Sequence, residues 1–280
     1  MHILHITRFA KWVDEQKCNF DYNKPFILTM GGTDVHVDLA EKGWNETTVN
    51  LVNQSTAVVC FSEEARKMVV EVNPDWEGKV KVVPQAVIPP KRTDQGSNKD
   101  EKFEILLPAG LRPIKDVLHL LDAWKDLDKQ IPFLKVKVIG EPLDKDVERE
   151  VLAACDYYSF LEYHSTVPFD EMGNVYAEAD VVINTSKEEG QSTALCEAMA
   201  LGIPVIARNN AGNSELIKHG KTGYIYQYPS DFPELINRIR KNPLETKRMT
   251  ERAQAYFQHE RTVEQETTDY LSIFRGLNES

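Results

Sequence analysis

The sequence has few cysteines and no long apolar run. The four cysteines, Cys18, Cys60, Cys155 and Cys196, are scattered without paired spacing, which predicts reduced thiols and no metal site. No stretch approaches the ~18 consecutive apolar residues that a membrane-spanning helix needs. The N-terminal strand pattern also lacks the long apolar core of a signal peptide. We therefore expect a cytoplasmic protein without a transmembrane segment.

An excess of basic residues is missing as well. The 280 residues include 33 Lys and Arg against 44 Asp and Glu, which gives a formal net charge of −11. A protein that binds the phosphate backbone of nucleic acid needs a basic face, so nucleic acid is not an expected partner. A local basic pocket for one small phosphate ligand remains compatible with this composition.

The fingerprint of a nicotinamide-dependent dehydrogenase is absent too. That fingerprint is G-x-G-x-x-G after a strand, with an acidic residue ~20 residues further on. No segment of the chain has this pattern, and the first apolar strand is not followed by a glycine-rich turn. The sequence therefore argues against that class of enzyme.

What the sequence does contain is an alternation of short apolar runs and helical patterns. Strands are expected, for example, at Ser159–Leu161 and Val181–Asn184, and helices at Lys115–Leu127 and Thr193–Leu201. Such alternation predicts an α/β architecture in which parallel strands are joined by right-handed crossovers.

A stretch rich in proline, glycine and polar residues, 84–102, separates two series of these elements. We expect a partial Rossmann-like domain over 1–88, a linker over 89–102 and a second Rossmann-like domain over 103–258. A C-terminal helix within 259–280 is expected to pack back on the first domain. The first domain is expected to be incomplete by about two βα units of ~30 residues each.

Three turns of small residues follow strand candidates of the second domain, at Gly110, at Gly140 and from Ser186. The carboxyl ends of parallel strands meet at one edge of a sheet, where ligands bind. Arg112 and Lys115 lie at an expected helix start, where backbone N–H groups and the helix dipole favour an anion. They are either a diphosphate clamp or two solvated side chains on a loop.

Two glutamates, Glu189 and Glu197, bracket the third turn with seven residues between them. Carboxylates suit the vicinal hydroxyls of a sugar or a ribose, because two oxygens meet two donors. The alternative is that Glu197 is a buried helix glutamate paired with a backbone donor and that Glu189 is surface charge.

The residues that lead into the helix are small or polar: Gly190, Gln191, Ser192 and Thr193. Ser192 or Thr193 can cap the helix and leave backbone N–H groups for a phosphate. The turn is therefore a candidate for both sugar and phosphate contacts.

The segment from Glu189 to Ala207 resembles the E-x7-E signature of family 4 retaining glycosyltransferases, which have the GT-B fold. The segment from Gly212 to Tyr224 resembles the next landmark of that family. Lys115 matches the family's diphosphate lysine, and Leu28–Val35 resembles a turn of its acceptor domain. Within the family, the chain looks most similar to the glycosyltransferase 1 domain-containing group.

The resemblance implies a fold, a reaction and a set of residue roles. Two Rossmann-type domains would face a cleft. A sugar would pass from a UDP- or GDP-sugar donor to an unknown acceptor with retention, without a metal or another cofactor. Lys115, Arg112 and Glu189 would be catalytic residues, with Lys115 and Arg112 at the diphosphate. Glu189 would contact sugar hydroxyls and Glu197 the ribose, and the remaining donor-binding residues would be Gly110, Gly140, Gly190, Gln191, Ser192 and Thr193.

The sequence departs from the family pattern at three places. Gly110 stands where the family has an arginine, and Arg112 lies two residues further on. Gly31 stands where the acceptor-domain turn has a histidine, although Gly32 and Asp34 of that turn are present. The glycine-rich first loop of the acceptor domain is missing, which suggests an N-terminally shortened isoform.

These departures keep a second function open. The chain is then a catalytically weak or inactive relative that binds a nucleotide-sugar or a protein partner. His164 is a candidate contact of the nucleotide base, or else a histidine of a surface loop. The sequence leaves the oligomeric state and the acceptor open.

Overall fold

The computed structural model describes residues 1–16, 20–21, 24–32, 34–91 and 102–276. The chain divides into two compact units, which do not follow the chain order strictly. The first unit comprises Met1–Ala86, the short segment Glu188–Gln191 and the C-terminal residues from Arg261 onward. The second comprises Val87–Lys187 and Ser192–Glu260. The inclusion of residues 188–191 in the first unit is not predictable from sequence spacing.

The first unit is built on four parallel strands, which follow their chain order across the sheet. A π-helical segment, Asp34–Lys42, follows the second of these strands. The strands are β1 (His2–Leu4), β2 (Ile27–Thr29), β3 (Ala57–Cys60) and β4 (Val80–Val82), and the helices of this part of the chain are α1 (Ile6–Gln16), α2 (Glu46–Gln54) and α3 (Glu63–Val72).

The C-terminal helix of the described chain contacts the first two strands of this unit. The hydroxyls of Tyr270 and Thr29 lie 3.0 Å apart. The ring of His2 lies 5.3 Å from that of Tyr270 and 5.9 Å from that of Phe274. The Ala86 backbone N–H donates to the Glu266 carboxylate at 3.0 Å. Aromatic and polar contacts therefore both hold this helix on the first unit.

The second unit is built on six parallel strands: β5 (Phe103–Pro108), β6 (Leu134–Ile139), β7 (Leu161–His164), β8 (Val181–Asn184), β9 (Val205–Arg208) and β10 (Tyr224–Tyr226). Their order across the sheet is β10-β9-β8-β5-β6-β7. Its helices are α4 (Leu121–Asp128), α5 (Lys145–Tyr157), α6 (Phe169–Glu178), α7 (Thr193–Ala200), α8 (Ala211–Leu216), α9 (Phe232–Lys241) and α10 (Pro243–Glu260), and α11 (Val263–Gly276) is the helix on the first unit.

Each face of the six-stranded sheet carries its own apolar core. Along β5, Ile105 and Leu107 face a core that includes Trp124, whereas Leu106 faces a core that includes Met199. Successive side chains of a strand point to opposite faces of the sheet, so both faces of this sheet bury apolar residues. The α/β class with two parallel sheets is thus confirmed.

Two predicted elements are wrong in their bounds. The helix expected over Lys115–Leu127 begins only at Leu121, because Pro113–Lys115 forms a single 3-10 turn and Asp116 is left-handed, with φ 45° and ψ 48°. The strand expected over Ser159–Leu161 is Leu161–His164. Part of the expected linker, residues 92–101, lies outside the described residues, as does Cys18. Cys60, Cys155 and Cys196 form no disulfide bonds.

Candidate active site

The strand order of the second unit reverses between β5 and β8. From β5 the chain adds β6 and β7 on one side, and from β8 it adds β9 and β10 on the other. Ligands of open parallel sheets bind outside the carboxyl ends of the strands at such a reversal. The two segments that leave the sheet there are the Gly110–Lys115 turn after β5 and the segment after β8 that leads to Ser192.

Hydrogen bonds join these two segments. The Thr185 hydroxyl donates to the Lys115 carbonyl at 2.8 Å. The Lys187 backbone N–H donates to the Ile114 carbonyl at 2.9 Å. Arg112 is exposed and Lys115 is half-buried. The structure therefore brings the backbone of the predicted diphosphate lysine against the segment that leads to α7.

The predicted role of a helix dipole at Lys115 is wrong. α4 begins at Leu121, six residues beyond Lys115, and the effect of a helix dipole falls off within the first turn. Any anion at Lys115 would depend on the side chain and on the turn, not on a helix N-terminus.

Gly140 and Gly110 lie side by side where β6 and β5 end. A Cβ atom on Gly140 would lie 2.8 Å from the Gly110 backbone nitrogen and would overlap the Ala109 carbonyl. The Leu111 N–H donates to the Glu141 carbonyl at 2.8 Å, which ties the two exits together. Gly140 is needed for this close approach of two backbones. A Cβ on Gly110 would meet the Leu143 side chain at 3.0 Å and the Glu141 carbonyl oxygen at 3.6 Å, which is an ordinary contact.

Ser192 caps α7, as predicted from its position before the helix. Its hydroxyl oxygen accepts from the Leu195 N–H at 3.4 Å and from the Asn184 side chain at 3.2 Å. Thr193, the first residue of the helix, is exposed. The apolar side of α7 is buried, so the helix keeps a fixed rotation on the sheet.

Glu197 is half-buried on α7 and has a side-chain partner that the sequence did not reveal. The hydroxyl of the fully buried Tyr176 on α6 donates to Glu197 Oε2 at 2.7 Å. Burial raises the pKa of the Glu197 carboxyl, and the hydrogen bond from Tyr176 opposes that rise. The sequence suggested a backbone donor for a buried Glu197, whereas the donor in the structure is the Tyr176 hydroxyl.

The segment that carries Glu189, Gly190 and Gln191 belongs to the first unit. A Cβ on Gly32 would lie 2.6 Å from the Gly190 Cα atom, so these two glycines are in backbone contact. The Gln191 side chain donates to the Gln85 carbonyl at 3.2 Å and accepts from the buried Arg261 at 2.5 Å. Gly32, Gln85 and Arg261 thus fix the backbone next to Glu189.

Asp34 of the predicted acceptor-side turn is buried in the first unit, and hydrogen bonds hold both of its oxygens. Oδ1 accepts from the Thr7 hydroxyl at 2.6 Å and Oδ2 from the Gly31 N–H at 2.7 Å. The exposed His5 ring lies beside them, with Nδ1 3.6 Å from Asp34 Oδ2. A Cβ on Gly31 would lie 2.5 Å from that Nδ1 atom, so the His5 imidazole occupies the space that a side chain at position 31 would need.

His164 is the last residue of β7, not part of a loop. β7 is two strands away from β5 in the sheet, and the His164 carbonyl accepts from the Gly140 N–H at 3.1 Å. Its imidazole is about half exposed, with Nε2 3.8 Å from Glu162 Oε2.

Sequence reasoning missed two charged residues beside the Lys115 turn. Arg208 Nη1 lies 2.8 Å from Asp116 Oδ2 and donates to the Thr185 carbonyl at 3.3 Å. The pairing joins residues 92 positions apart, and no local pattern signals it. Only the register of β9 with β8 brings the end of β9 to this turn.

Within the part of the chain that the structure describes, no group of three or more His, Cys, Asp or Glu residues could hold a metal ion. The helices among these residues also include none long and apolar enough to cross a membrane.

Two curated proteins are similar in sequence to most of this chain. A Xenopus tropicalis protein named glycosyltransferase 1 domain-containing protein 1 is 26% identical over 264 residues, which are 90% of this chain and 76% of that protein. The putative glycosyltransferase YtcC of Bacillus subtilis is 26% identical over 256 residues, which are 81% of this chain and 63% of that protein.

Solved structures show the same fold. Anabaena Alr3699/HepE in complex with UDP and glucose matches 97% of this chain and 75% of its own, with a TM-score of 0.77 at 18% identity. TarM matches 98% of this chain and 54% of its own, with a TM-score of 0.77 at 16% identity. The predicted GT-B-like class of two Rossmann-type units is thereby confirmed. The family model described as "Glycosyl transferases group 1" matches residues 90–256, more than half of the 280 residues, and the chain therefore belongs to the group 1 glycosyl transferases.

Proposed function

We propose that this chain transfers a sugar from a UDP- or GDP-linked donor to an acceptor, with retention at the anomeric carbon and without a metal ion. Membership of the group 1 glycosyl transferases supports the class of reaction. The Anabaena protein has been solved with UDP and glucose and with UDP-glucose, which favours UDP as the first donor nucleotide to test.

One observation supports the proposal most strongly. At the reversal of strand order, the Lys115 turn is hydrogen-bonded to Thr185, and the same β8 segment leads to the Ser192-capped helix that carries Glu197. A cationic turn and a carboxylate at one sheet edge match the two ends of a nucleoside diphosphate. The phosphates need positive charge, and the ribose diol needs paired acceptors.

The proposed roles follow from this arrangement. Lys115 holds the diphosphate and stabilises the charge that develops on it as the glycosidic phosphate bond breaks. Glu197 accepts the ribose hydroxyls, and the Tyr176 hydroxyl donates a hydrogen bond to its Oε2 atom. Arg112 is exposed and is assigned to the outer phosphate, and Gly190–Thr193 contribute main-chain contacts.

The reaction is proposed to proceed on one face of the sugar. The bond between the anomeric carbon and the diphosphate oxygen breaks, and the acceptor oxygen bonds to the anomeric carbon from the same side. The acceptor proton passes to the leaving diphosphate, so no protein base is required. Glu189 is assigned to the hydroxyls of the transferred sugar.

The proposal is tested by calorimetric titration of UDP and GDP into the wild-type chain and three variants. Lys115→Ala and Glu197→Gln should each weaken binding by roughly 1–3 kcal/mol, about 10- to 100-fold, because each removes a charge-assisted hydrogen bond. Lys129→Ala is the control, since Lys129 is exposed and pairs only locally with Asp126. Unchanged affinity in both site variants would contradict the site.

A second function rests on the shape of the turn. Arg112 is exposed, and α4 begins six residues beyond Lys115, so no helix N-terminus assists Lys115 from its own segment. These features favour a chain that binds a nucleotide-sugar but transfers it slowly. An assay of glucose release from UDP-glucose distinguishes the binding module from the enzyme. Binding of UDP-glucose without release of glucose favours the binding module, and release at catalytic rates favours the enzyme.

A further inference from the structure

The backbone at Asp116 adopts a conformation that is uncommon outside glycine. Its φ of 45° and ψ of 48° lie in the left-handed region, which aspartate tolerates better than most residues but does not prefer. This residue directly follows Lys115. A left-handed residue that ends the turn there must be held by its surroundings.

We propose that Asp116 and Arg208 form a clamp that sets the position of the Lys115 turn, so that Arg208 is a positioning residue that acts on a bound diphosphate through Lys115. The role at the diphosphate rests on the proposed function. The existence of the clamp can be tested without any nucleotide.

The contacts of this clamp form a closed ring. Arg208 Nη1 pairs with Asp116 Oδ2 at 2.8 Å and donates to the Thr185 carbonyl at 3.3 Å. The Thr185 hydroxyl, on a buried residue, donates to the Lys115 carbonyl at 2.8 Å. Lys115 and Asp116 are joined by the chain, which completes the ring. Each contact restricts the others, since moving any one residue strains the rest.

Burial makes the pair more than a surface contact. The side chains of Arg208 and Asp116 are 25% and 29% exposed, and exposed ion pairs contribute little because both groups are well solvated. Here one guanidinium nitrogen, Arg208 Nη1, has partners on two different segments.

His119 also contacts Asp116, at the backbone and beside the carboxylate oxygen that Arg208 binds. His119 donates its backbone N–H to the Asp116 carbonyl at 2.9 Å, and its Nδ1 lies 3.4 Å from Asp116 Oδ2. Its ring stacks on the buried Tyr226, with centroids 6.0 Å apart. Burial, and then the charge of Arg208, lower the pKa of His119. The neutral imidazole leaves Arg208 as the cation that neutralises Asp116.

The first test is a double-mutant cycle read by calorimetry with UDP, or with GDP if the wild type binds GDP instead. Arg208→Gln should weaken binding roughly tenfold, within the coupling expected of contacting groups. In a Lys115→Ala background, the same change should weaken it less than about twofold, because its effect passes through Lys115. Equal losses in both backgrounds would show a direct ligand contact by Arg208 and would overturn the proposal.

Three further variants sharpen the cycle. Asp116→Asn keeps the size and the tolerance of a left-handed backbone but removes the charge, so it should match Arg208→Gln. Arg208→Lys keeps the charge without the fork and should restore part of the affinity. Arg238→Gln is the matched control, because Arg238 pairs with Glu234 on an exposed helix face, and it should leave the affinity unchanged.

The second test measures hydrogen exchange without ligand. The Lys187 N–H, which donates to the Ile114 carbonyl, should exchange about tenfold or more faster in Arg208→Gln, because loss of the clamp lets the turn open locally. The Val83 N–H, which donates to the Cys60 carbonyl in the first unit, should not change. Unchanged exchange at Lys187 would overturn the clamp. Failure of the wild type to bind UDP or GDP would instead overturn the proposed function and the role assigned to Lys115.

Discussion

Replacing Tyr176 by phenylalanine removes one hydroxyl that donates to Glu197 at 2.7 Å from a fully buried ring. Hydrogen bonds to charged groups contribute ~1.5–3 kcal/mol, and one pKa unit corresponds to about 1.4 kcal/mol. This hydrogen bond lowers the pKa of Glu197 against the effect of burial. Its loss should therefore raise the pKa of Glu197 further.

The sign of the pH effect follows from the protonation state that binds. If the ribose needs the Glu197 carboxylate, nucleotide affinity falls as the pH drops through the pKa of Glu197. In Tyr176→Phe this fall should begin at a higher pH than in the wild type. Because burial favours protonated Glu197 in the folded state, the folded state also gains stability as the pH falls through that raised pKa, and Tyr176→Phe should strengthen this trend.

The assay is calorimetric titration of UDP, or of GDP if that is the nucleotide bound, over the range in which the chain stays folded. Tyr157→Phe is the matched control, since Tyr157 is 80% exposed and should leave the pH profile unchanged. A Tyr176→Phe profile that overlies the wild-type profile would refute the coupling between Tyr176, Glu197 and the nucleotide.

Two glycine substitutions test the close backbone contacts. Gly140→Ala should lower the free energy of unfolding by roughly 1–3 kcal/mol, because its Cβ would overlap the Ala109 carbonyl. Urea unfolding measures this change. A free energy of unfolding within about 0.5 kcal/mol of the wild-type value would contradict the prediction. Gly32→Ala should cost a similar amount, because its Cβ would lie 2.6 Å from the Gly190 Cα atom, and proteolysis within residues 188–191 should become faster. Gly78→Ala, with open space at its Cβ, serves as the control for both.

The sequence predicts the elements that local pattern determines. The strand Val181–Asn184 has the bounds expected from its apolar pattern, and the helix expected over Thr193–Leu201 ends one residue earlier, at Ala200. A buried parallel strand is a continuous apolar run, and an amphipathic helix repeats its apolar positions, so both are visible locally. The cap of α7 is also visible locally, because Ser192 directly precedes the helical pattern and serine is a preferred N-cap residue.

The features that the sequence did not predict correctly depend on residues far apart in the chain. The start of the helix expected at Lys115 is replaced by a turn that Thr185 and Arg208 hold from other strands. The Tyr176 partner of Glu197 is 21 residues away on another helix, and nothing in the spacing marks it. The contact of Gly190 with Gly32 joins segments far apart in sequence. Such contacts follow from strand order and register, which the sequence alone leaves open.

The central claim is that a nucleoside diphosphate binds at the reversal of strand order in the second unit. Hydrogen exchange of the wild-type chain, with and without saturating UDP or GDP, tests it most directly. The account predicts slower exchange at residues 112–118 and at 192–197 in the bound state, with the four strands of the first unit unaffected. Protection that falls outside both segments, or no protection at all, would contradict it.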